Sequence, residues 1–198
     1  MTDYPEAARD PIVCLHDRPG AAHWYADQID ALGARVVETA DVLDARDGAS
    51  VDRWVAAAAR DIEADAPAHV LATATAAYAA IVLASRHPHL VRSLLLGDPQ
   101  IPHDDAEYRQ LLASVHAPTL VIASAPDQVS EAAEESRLAV PQGIAGGIDN
   151  GVFVVIDGCD VPAHRERGSS FHEWVTSFTI IAEGLGALGQ RRQEEAHV

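Results

Sequence analysis

The chain has 198 residues, 48% of them hydrophobic and 22% charged, a composition that fits one folded domain and excludes a disordered chain. The formal net charge is −16, and all 14 basic residues are arginine. That acidity excludes a binder of nucleic-acid phosphates, which needs clustered positive charge, and the absence of lysine excludes Schiff-base catalysis.

Met1 to Asp10 is polar and acidic, so it does not read as a signal peptide, and no apolar run approaches the roughly 20 residues of a membrane span. A cytoplasmic protein is expected, and the alanine- and arginine-rich, lysine-free composition points to a bacterial source. Short apolar runs then alternate with longer amphipathic segments, the pattern of a parallel sheet with crossover helices. The expected strands are Pro11 to His16, Arg35 to Thr39, His69 to Thr73, Val91 to Gly97, Thr119 to Ser124 and Gly151 to Asp157. Several are apolar almost throughout, as strands covered on both faces should be.

The helices follow in order. Val51 to Ala64 carries Val51, Val55 and Ile62 on one face behind Ser50 as N-cap. Thr75 to His87 is nearly all alanine and aliphatic and should be buried. One helix fits near Asp104 to Val115. The glycines of Gly143 to Gly151 read as a loop; they do not open a helix after a strand, so they make no dinucleotide site. A last helix opens on Ser170-Phe171-His172-Glu173, a capping box, and carries Phe171, Trp174, Val175, Phe178 and Ile181. From Gly184 to Val198 the sequence reads as a polar, frayed tail on a core of about residues 11–182. Cys14 reads as a buried thiol, and neither it nor Cys159 has metal-ligand spacing. No metal and no cofactor is expected.

Four stretches together resemble the α/β-hydrolase superfamily over about residues 11–182. Val13-Cys14-Leu15-His16-Asp17-Arg18-Pro19-Gly20 is similar to the strand and turn that supply part of that family's oxyanion hole. Val70 to Ala77, leading on to Arg86-His87-Pro88, resembles the nucleophile elbow and its helix. Val91 to Pro99 is similar to the next strand. Ala117 to Ile122 with Asp127 resembles the strand and loop of the catalytic acid, and Ile156-Asp157-Gly158 to Glu166 the loop of the catalytic histidine. The resemblance implies an α/β fold with a mostly parallel sheet and helices on both faces; the short stretches before Pro11 and between Asp98 and Ala117 lead us to expect trimmed N-terminal strands and no large cap domain.

Three positions depart from the family pattern. Ala74 stands where the serine nucleophile belongs, between the small Ala72 and Ala76, and Val161 stands at the histidine. Asp17 replaces the oxyanion-loop glycine, where a carboxylate would repel a developing oxyanion. Only the acid, Asp127, remains. Loss of a triad costs a serine hydrolase on the order of 10⁶ in rate, which leaves little for ordinary ester hydrolysis.

The expected function is therefore a non-catalytic relative that binds a small acyl or hydrophobic ligand, or a protein partner. The ligand-contacting candidates are His16, Asp17, Trp24, Thr73, Thr75 and Asp127. The alternative is a lyase, isomerase, decarboxylase or non-serine hydrolase using Asp127 or His16 for proton transfer, with Asp98 and His164 as further candidates. Thr73 and Thr75 carry hydroxyls beside the empty position, but their side chains should point away from it. Cys159 would be reactive only if exposed beside a cation, and Tyr78 fills core volume. A third reading is a dimerisation module in which a thinned N-terminal sheet edge pairs with a second copy.

Overall fold

Six apolar runs fold as strands in the structure, a computed structural model that describes residues 9–102, 106–127 and 131–195, with side chains throughout except at 131–133 and 187–195. They are β1 (Ile12–Leu15), β2 (Arg35–Val37), β3 (Ala68–Thr73), β4 (Val91–Gly97), β5 (Thr119–Ala125) and β6 (Gly151–Asp157). All pair in parallel, in the spatial order β2-β1-β3-β4-β5-β6. The helices are α1 (Ala21–Trp24), α2 (Ala26–Leu32), α3 (Gly48–Ile62), α4 (Ala76–Arg86), α5 (Ala106–Ala113), α6 (Glu131–Gly147), α7 (Ala163–Glu166) and α8 (Gly168–Glu195).

Strand side chains alternate between two cores, as the period of two requires. Val13 and Leu15 enter one core and Cys14 the other; Val70 and Ala72 divide likewise from Leu71, and Leu94 and Leu96 from Leu95. The first core is closed by α3, α4, α5 and α6, and the second by α1, α2, α7 and α8. The alanine-rich α4 buries Ala76, Ala77 and Ala79 to Ala84, because small side chains let it lie close on the sheet.

Helix boundaries correct the sequence reading in four places. α3 begins earlier, because Asp47 rather than Ser50 caps it by accepting from the Ala49 and Ser50 N–H groups. The Ser50 hydroxyl instead accepts from Asp44 N–H. α8 begins at Gly168, where the Arg167 carbonyl already accepts from Phe171 N–H at 3.0 Å, so Ser170 lies within its first turn rather than capping it. The helix also runs on to Glu195, through the stretch expected to be a frayed tail. Finally, most of the expected glycine loop is helical. Gly143, Gly146 and Gly147 belong to α6, and a Cβ at Gly147 would lie 2.6 Å from Leu112 Cδ1. The glycine there serves close packing of α5 on α6, a need that reads as flexibility in sequence. Asp104 falls outside the described residues, and the rest of the helix expected around it is α5.

Candidate functional site

In this strand order β1 leads to β2 on one side while its other neighbour is β3. Such a switch leaves a crevice at the carboxyl ends of the two strands, the usual ligand position in open α/β sheets. The sequence candidates gather along that edge. His16 and Asp17 follow β1, Thr73 ends β3 with Ala74 and Thr75 next, Asp98 follows β4, Asp127 follows β5, and Val161 and His164 follow β6.

The turn from β3 into α4 is sharp. Ala74 has φ 50, and among the described residues Asp98 is the one other non-glycine with positive φ. An alanine there costs about 1–2 kcal/mol. The turn is closed by Ala74 N–H donating to Gly97 O at 3.1 Å and by Gln100 N–H donating to Ala74 O at 3.0 Å. Ala72 and Ala76 beside it are fully buried, which explains their size.

One flank of this elbow is filled. Thr73 is 1% exposed, and its hydroxyl accepts from Trp24 Nε1 at 3.0 Å and lies 3.0 Å from Tyr25 Oη, which itself donates to Leu15 O at 2.9 Å. With both roles used, that hydroxyl is a tie between β3 and α1 rather than a free nucleophile. His16 stacks on Trp24, centroids 5.1 Å apart, and its carbonyl accepts from Trp54 Nε1. His164 sits against Trp24, Tyr25 and Phe171, and the Arg165 guanidinium lies 5.3 Å over the Trp24 ring. His164 is 1% exposed, and no hydrogen bond of ordinary geometry reaches either ring nitrogen. Burial, with the charges of Arg165, His16 and His172 adding to it, lowers its pKa to about 4, while the Trp24 backbone acts the other way. Burial likewise lowers His16, against the pull of Asp17. Both imidazoles are neutral at pH 7.

The carboxylates have separate duties. Asp17 is 5% exposed and accepts from Arg18 Nε and Nη2, each at 3.0 Å. Burial pulls its pKa up, but the Arg18 bonds and the charges of His16 and Arg18 hold it below the ordinary carboxylate value. Its negative charge is thus fixed in the loop after β1. Asp98 accepts from Ser124 N–H at 2.7 Å, Ser124 Oγ at 2.8 Å and Ala163 N–H at 2.8 Å, so it ties β4 to β5 and to the start of α7. Asp127 is exposed and stands with Arg167 around Gly158, apart from the histidine cluster. Val161 is 51% exposed on the loop after β6. Cys159 is buried, donates to Ile156 O at 3.3 Å and has its pKa raised by burial, the opposite of a reactive thiol.

The other flank of the elbow is open. A cleft of about 310 Å³ is lined by Leu43, Arg46, Thr75, Gln100, Ile101 and Pro102 among others. It adjoins a second of about 330 Å³ that shares Arg46 and Pro102 and reaches Tyr78 and Tyr108. Thr75 therefore faces space while Thr73 does not, a distinction that flanking a common residue could not reveal. Gln100, Arg46 and Ile101 were not legible as site residues, since irregular loops with no motif bring them in. Among the described residues, no three His, Cys, Asp or Glu side chains are placed to hold a metal ion, and no helix is long and apolar enough to cross a membrane.

A serine, a histidine and an acid do meet elsewhere. Ser93 Oγ lies 2.8 Å from His69 Nδ1, and His69 Nε2 lies 3.4 Å from Glu183 Oε1. Ser93 and His69 are both 0% exposed, between the sheet and α8 at the opposite edge. A carbonyl cannot reach that hydroxyl, so the array is a buried polar latch. Glu183 completes it by accepting from Asp10 N–H at 3.1 Å.

No family model matches the sequence, and no curated protein matches it. Solved structures do. One is a serine-to-alanine mutant of the meta-cleavage product hydrolase from Pseudomonas fluorescens, complexed with acetates: 16% identity, 87% of this chain and 91% of that one covered, TM-score 0.63. A serine hydrolase involved in carbazole degradation gives 16% identity, 88% and 93% coverage and TM-score 0.66. A thermophilic esterase from Thermogutta terrifontis, malate bound, gives 13% identity, 87% and 90% coverage and TM-score 0.60.

Proposed function

The chain has the α/β-hydrolase fold, and from that premise we propose that it binds a small acyl or otherwise apolar ligand at the elbow without hydrolysing it. The observation that carries this reading is the elbow itself. Ala74 keeps the left-handed turn, φ 50, and both closing hydrogen bonds, yet offers a methyl group where attack would have to begin. Val161 on the exposed loop after β6 cannot accept a proton, and the neighbouring His164 is buried among aromatic rings. The cleft beside Thr75 supplies apolar walls in Leu43, Ile101 and Pro102, with polar groups from Gln100, Arg46 and Asp44. That mixture suits a short acyl chain with a polar head.

Two measurements test it. Titration with octanoate should shift the amide resonances of Thr75, Gln100 and Ile101, and Thr75→Phe should abolish those shifts by filling the cleft. Hydrolysis of 4-nitrophenyl acetate should stay at the same low background in wild type, Thr75→Ala and Asp127→Asn. Turnover well above background that disappears in either variant would contradict the proposal.

A further inference from the structure

The two edges of the sheet are not alike. β2 is only three residues long and carries Arg35, which pairs with Asp65 at 2.7 Å. Short, charged edges resist pairing with another strand. β6 at the other edge has seven residues, Gly-Val-Phe-Val-Val-Ile-Asp, with no proline, no basic residue and no break in its register with β5. Among the described residues, no hydrogen bond from outside β5 reaches the backbone of Val152 to Val155. A long, regular, apolar strand with a free row of N–H and C=O groups is a template for another strand.

A second feature lies on the same flank. Trp174, Ile181 and Leu185 are 45%, 58% and 51% exposed. At about 100° per residue they fall on one line along α8. Phe171, Val175, Phe178 and Ala182, next to that line, point into the core against Leu95, Leu120 and Ile122 or beside them. On the far side of those core residues His172 meets Gln28 of α2 at 2.9 Å. α2 connects β1 to β2, so the apolar line is the shoulder turned the other way, toward β6. Val152, 44% exposed, shares the sheet face of Val154 and Ile156 on which α8 packs.

We propose that this flank is the interface of a symmetric dimer in which β6 of one copy pairs antiparallel with β6 of a second. A twofold axis through Val154 pairs all seven residues. Val152 then faces Ile156 of the other copy and Phe153 faces Val155, combinations of β-branched and aromatic side chains that favour cross-strand pairing. Asp157, the one charged residue of the strand, faces Gly151, which has no side chain, so no like charges oppose each other. The same axis keeps both α8 helices on one face of a continuous sheet, with their apolar shoulders turned toward each other across the seam. A second copy is thus self-complementary to this edge in register and apolar surface. The two elbows face opposite edges of the joined sheet, and both clefts stay open.

Sedimentation velocity from about 1 to about 100 µM in moderate salt should show a species of twice 21.0 kDa. Val152→Lys and Ile181→Glu, both at exposed positions, should keep the wild-type circular dichroism and weaken dimerisation by about a hundredfold or more, since each change counts twice across the axis. Hydrogen exchange in the wild type gives a reading free of any variant: the amides of Val152 to Val155 that point away from β5 should lose protection on dilution. A monomer throughout that range, a dimer that survives Val152→Lys, or exchange at β6 that ignores concentration would each overturn the proposal.

Discussion

His164 is held as a neutral imidazole among Trp24, Tyr25 and Phe171, and that confinement has a consequence for stability. Its pKa is about 4 in the folded chain against 6.5 for a free group. The unfolded state therefore takes up the proton first as pH falls, and stability drops between pH 6.5 and about 4. The shift corresponds to about 3 kcal/mol in full. His164→Phe should flatten part of that loss, leaving the slope due to His16, His69 and His172, whose values are lowered in the same direction. Thermal unfolding of the two proteins across that range checks it, and parallel curves would contradict it. Thr73 makes the complementary case. Thr73→Val keeps the shape but leaves Trp24 Nε1 without its acceptor and Tyr25 without its hydroxyl neighbour. A loss of about 1–3 kcal/mol in denaturant unfolding is expected, with no change in ligand binding at the Thr75 side.

At the scale of elements, Asp98 is the joint between β4, β5 and α7. Asp98→Ala removes three hydrogen bonds and puts alanine at φ 44, so it should cost about 2–4 kcal/mol. Asp98→Asn, which tolerates that backbone and keeps one acceptor oxygen, should cost less, and the absence of a loss in both variants would show that the carboxylate does not act as a joint. The positions of Ala74, Asp98 and Asp127 at strand ends were legible because apolar runs, glycines and prolines mark where parallel strands stop. The roles of their side chains were not, since Asp98 and Asp127 occupy similar loop positions yet one is enclosed by donors and the other exposed. Gly147 shows the same limit for helices. Its glycine reads as a breaker in sequence, whereas contact with Leu112 makes it part of a helix. Which strands form the sheet's edges was not legible either, because nothing local says which strand lies outermost.

Across the whole molecule, a net charge of −16 on 198 residues means that the folded chain repels itself. Raising salt from about 0.02 M to about 0.3 M shortens the range of that repulsion and should raise the unfolding temperature. A fall would show that specific ion pairs such as Arg18 with Asp17 outweigh it. The architecture itself brings loops from five strand ends to one edge, where one flank of the elbow is packed with rings and the other stays open. The central claim is that this site binds and does not attack. The most direct measurement is intact mass after incubation with a fluorophosphonate probe, applied to the wild type and to a chain carrying Ala74→Ser with Val161→His and Asp17→Gly. The account predicts no adduct on the wild type and a single adduct at position 74 of the variant. A stoichiometric adduct on the wild type would contradict it.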